Sequence, residues 1–271
     1  MNTLMIYPYM CIGDYLSYNG LIRFLSQYYD EIYVVDTFID SYKQVMFRDN
    51  IKIKFLCTVS DARKFRRTHL TTDIIELKVY KNNEKFVPSG FEGNYFDINN
   101  KIGEFLNIKC DETTIFDNAS GFYIKSGLPS NIRIDYFYYE RDIVNETNFY
   151  LETLKKYNIN NDKYTIICEY DNNLINKSYV NTKNIINIHK LSHNILYLLL
   201  LIENAEDVHI LENALALMIY MMQIKGLLKP KKIYFHVTAR NDRKCTKDNW
   251  SEHFFVRMML NPKIDDWIII T

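Results

Sequence analysis

The chain has 271 residues, enough for one large domain or two smaller ones with a substantial hydrophobic core. Its 33 Lys and Arg residues balance 33 Asp and Glu residues, so its net charge gives no long-range attraction to nucleic acid or to an acidic membrane. Its five cysteines are scattered without a Cys-x-x-Cys pair, which argues against a disulfide framework and against a zinc site.

The N-terminal residues contain no basic stretch that leads into an apolar one, so they do not look like a signal peptide. The longest apolar run, Ile195 to Ile202, is too short to span a bilayer. We therefore expect a soluble, intracellular protein of the cytoplasm, with no transmembrane segment.

Apolar, β-branched runs alternate with helical patterns through the first part of the chain. The predicted strands and helices, in chain order, are Thr3–Tyr7, helix Tyr15–Tyr28, Glu31–Val35, helix Asp40–Arg48, Ile51–Leu56, helix Asp61–Thr68 and Ile74–Val79. This alternation is typical of a parallel sheet with helices on both faces. Residues Lys81 to Gly127 interrupt it with turn residues and predict a longer excursion with one or two short helices.

A helix is predicted from Asp142 to Tyr157, and the asparagine-rich stretch Asn158 to Asn161 after it is the best candidate for a linker. The alternation then restarts with Tyr164–Glu169, a loop at Asp171–Ser178, Ile185–His189, helix His193–Asn204, Val208–Leu211, helix Glu212–Ile224 and Lys232–Val237. The fold class is therefore α/β, with two α/β lobes at 1–160 and 161–271 and a cleft between them. The last segment belongs to the second lobe or packs back on the first.

The first predicted strand leads through Gly13 and Asp14 into a helix. Glycine permits a sharp turn, and an aspartate there can cap the helix or place a carboxylate at the carboxyl edge of the sheet, where α/β proteins bind ligands. The same helix has a polar face that includes Asn19 and Arg23. If that face borders a cleft, both residues would line the cleft together with Asp14.

Three stretches of the second lobe follow predicted strands and carry polar groups. Glu169-Tyr170-Asp171 either holds a ligand or starts a turn. The stretch from Ile188 to Asn194 carries Lys190, Ser192, His193 and Asn194, and a cationic loop at a helix start suits phosphate, although Ser192 is also a natural helix cap.

In the third stretch, His209 lies inside an apolar strand, where a core histidine is the favoured interpretation. Glu212 and Asn213 follow at a helix start, and a carboxylate there would repel phosphate but suits sugar or ribose hydroxyls. A later strand ends near Arg240, which either neutralises a diphosphate or belongs to a solvated basic loop.

Several functional signatures are missing: Gly-x-Ser-x-Gly, His-Glu-x-x-His, the P-loop, the dinucleotide Gly-x-Gly-x-x-Gly, and the metal-holding Asp-x-Asp. The basic run from Arg63 to Arg67 could contact nucleic acid, but in a neutral protein a solvated helix face is favoured.

The combination of Ile12-Gly13-Asp14 with Asn19 to Arg23, the stretch Glu203 to His209, and His236 followed by Ala239-Arg240 resembles the GT-B glycosyltransferase superfamily, in the style of heptosyltransferases. The resemblance implies two Rossmann-like lobes, with the acceptor on the first and the donor bound mainly by the second. It also implies metal-independent transfer of a sugar from a nucleotide-diphosphate sugar to a glycan or other hydroxyl acceptor, with no cofactor besides that co-substrate.

The resemblance also implies roles for residues. Asp14 would be the base, with Asn19 and Arg23 on the acceptor side. Diphosphate contacts would come from Gly13, Lys190, Ser192, His193, Asn194 and Arg240. His209, Glu212 and Asn213 would face the ribose or sugar. The pair Glu212-Asn213 departs from the small or hydroxyl residues common in relatives, which leaves open a catalytically inactive glycan-binding or assembly module.

Overall fold

The computed structural model describes residues 2–8, 12–36, 42–77, 89–96, 102–111, 123–160, 163–169, 175, 177–180, 183–191, 194–229, 231–237 and 266–270. The chain forms two compact units, Met1–Glu140 and Arg141–Thr271. The division falls earlier than the predicted boundary at residue 160, because the helix that precedes the asparagine-rich stretch packs against helical residues of the second unit.

The first unit is built on a five-stranded parallel sheet in the order β3-β2-β1-β4-β5. Its strands are β1 Thr3–Tyr7, β2 Glu31–Val35, β3 Ile53–Leu56, β4 Asp73–Glu76 and β5 Tyr95–Phe96. Its helices are α1 Ile12–Leu25, α2 Tyr42–Val45, α3 Val59–Thr68, α4 Ile102–Phe105 and α5 Ile132–Asp135.

Apolar residues on both faces of these strands explain why the sheet is covered on both sides. Met5 of β1, Val35 of β2 and Ile74 of β4 form one buried cluster with Ala62 and Phe65 of α3. The helix α3 therefore covers one face of the sheet with Ala62 and Phe65.

The second unit is built on another five-stranded parallel sheet, in the order β10-β9-β8-β6-β7. Its strands are β6 Thr165–Ile167, β7 Ile185–Asn187, β8 Asp207–Ile210, β9 Ile233–His236 and β10 Trp267–Ile270. Its helices are α6 Ile143–Lys156, α7 Leu199–Asn204 and α8 Ala214–Ile224. Because β10 pairs with β9, the end of the chain belongs to the second sheet.

Two helix starts differ from prediction. The first helix begins at Ile12 rather than Tyr15, so Gly13 and Asp14 are helical. The helix predicted from His193 begins instead as a 3₁₀ turn at Ile195–Leu198 and becomes α-helical at Leu199. No helix among the described residues is long and apolar enough to cross a membrane.

Candidate functional site

Asp14 lies in the first turn of α1, which follows the carboxyl end of β1. The prediction that Gly13 forms the turn and Asp14 the cap was wrong, because the helix already includes both residues; the Ser17 hydroxyl donates to the Gly13 carbonyl at 3.0 Å. An anionic side chain in the first turn is stabilised by the positive end of the helix dipole. Asp14 is only partly buried, and it places a carboxylate near this edge of the first sheet.

The same edge holds a buried ion pair that the sequence analysis missed. Asp36 directly follows β2, and its Oδ1 lies 3.2 Å from Lys43 Nζ of α2, with both side chains almost fully buried. Lys43 also lies 4.9 Å from the centre of the Tyr15 ring. Burial and the nearby Asp36 carboxylate raise the pKa of the Tyr15 phenol. The sequence signal that could have identified this pair is Asp36 itself, a carboxylate directly after an apolar strand.

Asn19 and Arg23 do not line an open surface. Asn19 is fully buried, and its Oδ1 accepts from Arg23 Nε at 3.2 Å and from the Tyr138 amide at 3.1 Å. The Arg23 guanidinium donates to both carboxylate oxygens of Asp49, at 2.8 and 2.7 Å, and to the Met46 carbonyl. These contacts tie α1 to neighbouring segments of the first unit. The acceptor-side role of both residues stays a prediction, and their burial argues against it.

The carboxyl edge of the second sheet holds three of the polar residues predicted there, Glu169, Glu212 and Asn213, together with other polar residues. Cys168 and Glu169 follow β6, Asn187 ends β7, Glu212 and Asn213 follow β8, and His236 ends β9. Because neighbouring parallel strands end at the same edge, these residues come from four strands that lie side by side. This edge is the candidate ligand site of the second unit.

Asn213 links two parts of that edge. Its Oδ1 accepts from the Ala216 amide at 2.9 Å and so caps α8, while its Nδ2 donates to Cys168 Sγ at 3.1 Å. Its side chain is thus occupied within the protein. The neighbouring Glu212 is 6% exposed, so its carboxylate lies beneath the surface of this edge.

His209 and His236 form a buried pair. Nδ1 of His209 lies 3.0 Å from Nε2 of His236, and the His209 ring stacks on Tyr234 with a centroid distance of 4.5 Å. Burial lowers the pKa of each imidazole to about 4; Lys232 adds to the effect on His209, and His209 adds to the effect on His236. Both rings are therefore neutral near pH 7. This burial agrees with the core interpretation of His209 and argues against direct contact with a ligand.

The predicted phosphate loop is described only in part. Lys190 ends a short 3₁₀ turn and is exposed. Asn194 Oδ1 accepts from the Leu196 amide at 3.0 Å, so it caps the next turn. Ser192, His193 and Arg240 lie outside the described residues, and their predicted roles stay predictions. Among the described residues, no group of three or more His, Cys, Asp or Glu side chains is placed to hold a metal ion.

The fold was compared with those of solved structures. A glycosyl transferase family 9 protein from Veillonella parvula matches over 86% of this chain and 80% of its own, with 10% sequence identity and a TM-score of 0.52. The ADP-heptose LPS heptosyltransferase II of E. coli matches over 100% of this chain and 90% of its own, with 9% identity and a TM-score of 0.53. The chain has a GT-B fold.

The GT-B fold confirms the fold class that the resemblance implied. The units Met1–Glu140 and Arg141–Thr271 are called the N-terminal and C-terminal lobes below. Neither a protein-family model nor a curated protein matches the sequence. At this low identity the GT-B likeness establishes the fold alone, so the role of each residue must be argued from its own chemistry.

Proposed function

We propose that the protein is a glycosyltransferase that moves a sugar from a nucleotide-diphosphate sugar to an acceptor hydroxyl without a metal ion. The observation that carries the proposal is a GT-B fold along the whole chain, with a partly buried carboxylate, Asp14, at the start of the helix that follows β1. Support for metal independence comes from the sequence, which has no Asp-x-Asp pair.

In this mechanism Asp14 acts as general base. Its carboxylate takes the proton of the acceptor hydroxyl while that oxygen forms a bond to the anomeric carbon of the donor sugar. The bond between that carbon and the diphosphate oxygen breaks, and the nucleoside diphosphate leaves with the bonding electrons.

Charge grows on the departing diphosphate, and cations or hydrogen-bond donors must stabilise it where no metal is used. We assign this role to the exposed Lys190, to the backbone beside Asn194, and to Ser192, His193 and Arg240. Glu212 would accept hydrogen bonds from ribose or sugar hydroxyls. We assign His209 an indirect role, as a fully buried partner of His236 beneath this edge.

The base assignment is tested with Asp14→Asn. Loss of a general base lowers turnover by about 10² to 10⁴-fold, whereas the affinity for the nucleotide donor should change little because Asp14 belongs to the N-terminal lobe. The matched control is Asp30→Asn, since Asp30 is an exposed aspartate just before β2, at the opposite edge of the same sheet. Turnover in Asp14→Asn equal to that of Asp30→Asn would remove the base assignment.

The reaction is tested by mass spectrometry of acceptor mixtures incubated with a panel of nucleotide sugars, with and without EDTA. We expect one donor to give product at a rate that EDTA leaves unchanged. Binding is followed by thermal unfolding, since a ligand at 100 times its dissociation constant adds about 2.7 kcal/mol to the free energy of unfolding. A panel that yields neither product nor stabilisation would contradict the proposal.

A catalytically inactive glycan-binding or assembly module is the second candidate. It is favoured by the two acidic residues, Glu169 and Glu212, that follow β6 and β8 at the edge assigned to the donor, because carboxylates repel a diphosphate. Binding on a glycan array without turnover of any nucleotide sugar would support it, whereas Glu212→Gln that weakens donor binding at least tenfold would favour the transferase.

A further inference from the structure

The exposed face of α3 carries a compact group of cations in the N-terminal lobe. The helix contains four basic residues, and one of them, Arg66, is buried and lies 3.3 Å from Glu76 Oε1. The other three, Arg63, Lys64 and Arg67, are exposed. The basic run is therefore divided between an internal ion pair and an outward-facing group.

Helical periodicity explains this division. At about 100° per residue, Arg63, Lys64 and Arg67 fall on one side of α3. Ala62 and Phe65 occupy the opposite side and pack into the cluster that covers the sheet. The three cations lie within about 6 Å along the helix axis, since each residue rises about 1.5 Å.

A shallow, open pocket lies along the cationic face of α3. The cavity has a volume of about 480 Å³ and is lined by Arg63, Lys64 and Arg67, together with the hydroxyl residues Ser60 and Thr68. This volume lies within the range of about 300 to 1,000 Å³ that is typical of small-molecule sites. Lys64 and Arg67 form no ion pair within the part of the chain that the structure describes.

We propose that this cavity, the α3 site, binds a small ligand that carries two or more closely spaced phosphate groups. Three cations grouped within about one helical turn match two neighbouring phosphates, and the guanidinium groups can each donate two parallel hydrogen bonds to a phosphate. The proposal does not depend on the glycosyltransferase activity, which uses other residues.

The observations favour a small ligand over nucleic acid or a membrane surface. A nucleic-acid interface makes about 6 to 10 phosphate contacts along an extended track, whereas these cations span about one phosphate spacing. A membrane-surface helix inserts an apolar face into the lipid, but the apolar residues of α3, Ala62 and Phe65, are already used in the core.

The test is isothermal titration of the full chain with inorganic pyrophosphate and with inorganic triphosphate at low ionic strength. We expect saturable binding that the double variant Lys64→Gln/Arg67→Gln weakens at least tenfold and that added salt weakens further. Both side chains are exposed, so the variant should unfold at the wild-type temperature.

Two controls separate the α3 site from other anion binding. Lys155→Gln/Lys156→Gln removes two adjacent exposed cations at the end of α6 and should leave the affinity unchanged. Lys190→Gln alters the proposed diphosphate site of the C-terminal lobe and should leave unchanged the binding that the α3 variant loses. If either control weakens binding as much as the α3 variant, or if no saturable binding is seen, the proposal is overturned.

Vesicles of anionic phospholipid and a single-stranded oligonucleotide complete the experiment. If the protein binds both the soluble phosphates and the vesicles, and the α3 variant loses both, a lipid headgroup is the source of the phosphates. If the protein binds the soluble phosphates but not the vesicles, the ligand is a free metabolite. Binding of the oligonucleotide without the soluble phosphates would overturn the proposal.

Discussion

The imidazoles of His209 and His236 are joined by a hydrogen bond of 3.0 Å from Nδ1 of one to Nε2 of the other, although 26 residues separate them in sequence. The two strands that carry them are neighbours in the second sheet. One ring must donate the bond and the other accept it, which two neutral imidazoles can do. Burial lowers both pKa values to about 4 and keeps the rings neutral.

This pair predicts acid sensitivity of the fold. In the unfolded chain both imidazoles have a pKa near 6.5, so below that pH the unfolded state takes up protons that the folded state does not. The stabilisation is therefore complete above about pH 6.5 and is lost as the pH falls towards the folded-state pKa of about 4. Two such groups lower the free energy of unfolding by as much as about 2.7 kcal/mol per pH unit in this window.

The measurement is urea unfolding of the wild type and of His209→Phe/His236→Phe at pH 7.5, 6.5, 5.5 and 4.5. Phenylalanine keeps the aromatic contact with Tyr234 but cannot take up a proton. We expect a shallower pH dependence in the variant below pH 6.5. Parallel pH profiles for the two proteins would show that the pair does not remain neutral in the folded state.

A second prediction concerns Arg141, which joins α6 to α7. Its guanidinium contacts Glu146 at 2.5 Å and Glu203 at 2.7 Å, and Glu146 is fully buried. Arg141→Met should lower the free energy of unfolding by about 3 to 5 kcal/mol, because it leaves buried carboxylates without their cation. Burial already raises the pKa of Glu146, so the loss should shrink as the pH falls and that carboxyl group takes up a proton.

Lys163→Met provides the matched control, since Lys163 contacts Glu206 at 2.8 Å on the exposed surface of the same unit. Solvent screens such a pair, and we expect little change in stability. Urea unfolding of both variants at pH 7.5 and 5 makes the comparison. Equal losses in the two variants would mean that burial of the Arg141 group is not what stabilises the contact between the helices.

A third prediction concerns Gly20 of α1. A Cβ atom there would lie 2.5 Å from the Arg133 carbonyl oxygen and 2.6 Å from the Ile132 carbonyl oxygen, both backbone atoms of α5. Gly20→Ala should therefore lower the free energy of unfolding by about 3 kcal/mol, even though alanine favours the helix by about 1 kcal/mol.

The control is Gly226→Ala, because Gly226 has φ +65° but open space around its Cα. The strain of a left-handed alanine costs about 1 kcal/mol without any clash. Thermal or urea unfolding ranks the two variants. A Gly20→Ala protein that is at least as stable as Gly226→Ala would show that the two helices can separate at low cost.

The sequence predicted the strands well because parallel strands covered on both faces are apolar runs with turn residues between them. Thr3–Tyr7 and Glu31–Val35 are found as predicted, and Ile233–His236 lies within the predicted Lys232–Val237. Helix starts were less accurate. Ile12 to Asp14 join α1, and Ile195 to Leu198 form a 3₁₀ turn, because local hydrogen bonds decide the first turn and leave no clear periodic signal.

The residues of the candidate site were also predicted only in part. The sequence predicted that Asp14, Glu212 and Asn213 lie near the carboxyl ends of strands, because each of them follows a predicted strand in the chain. The sequence could not predict that Asn19 and Arg23 turn inward, because their hydrogen-bond partners Tyr138 and Asp49 are distant in sequence.

The sequence by itself determined the α/β class, the two sheets and the run of basic residues in α3, because these depend on local apolar periodicity and composition. Only the tertiary structure decided which polar groups meet. It paired His209 with His236, buried Arg66 against Glu76 and left Arg63, Lys64 and Arg67 outside. Burial and hydrogen-bond partners depend on contacts between distant segments, and the free energy of those contacts is set by packing that no local pattern contains.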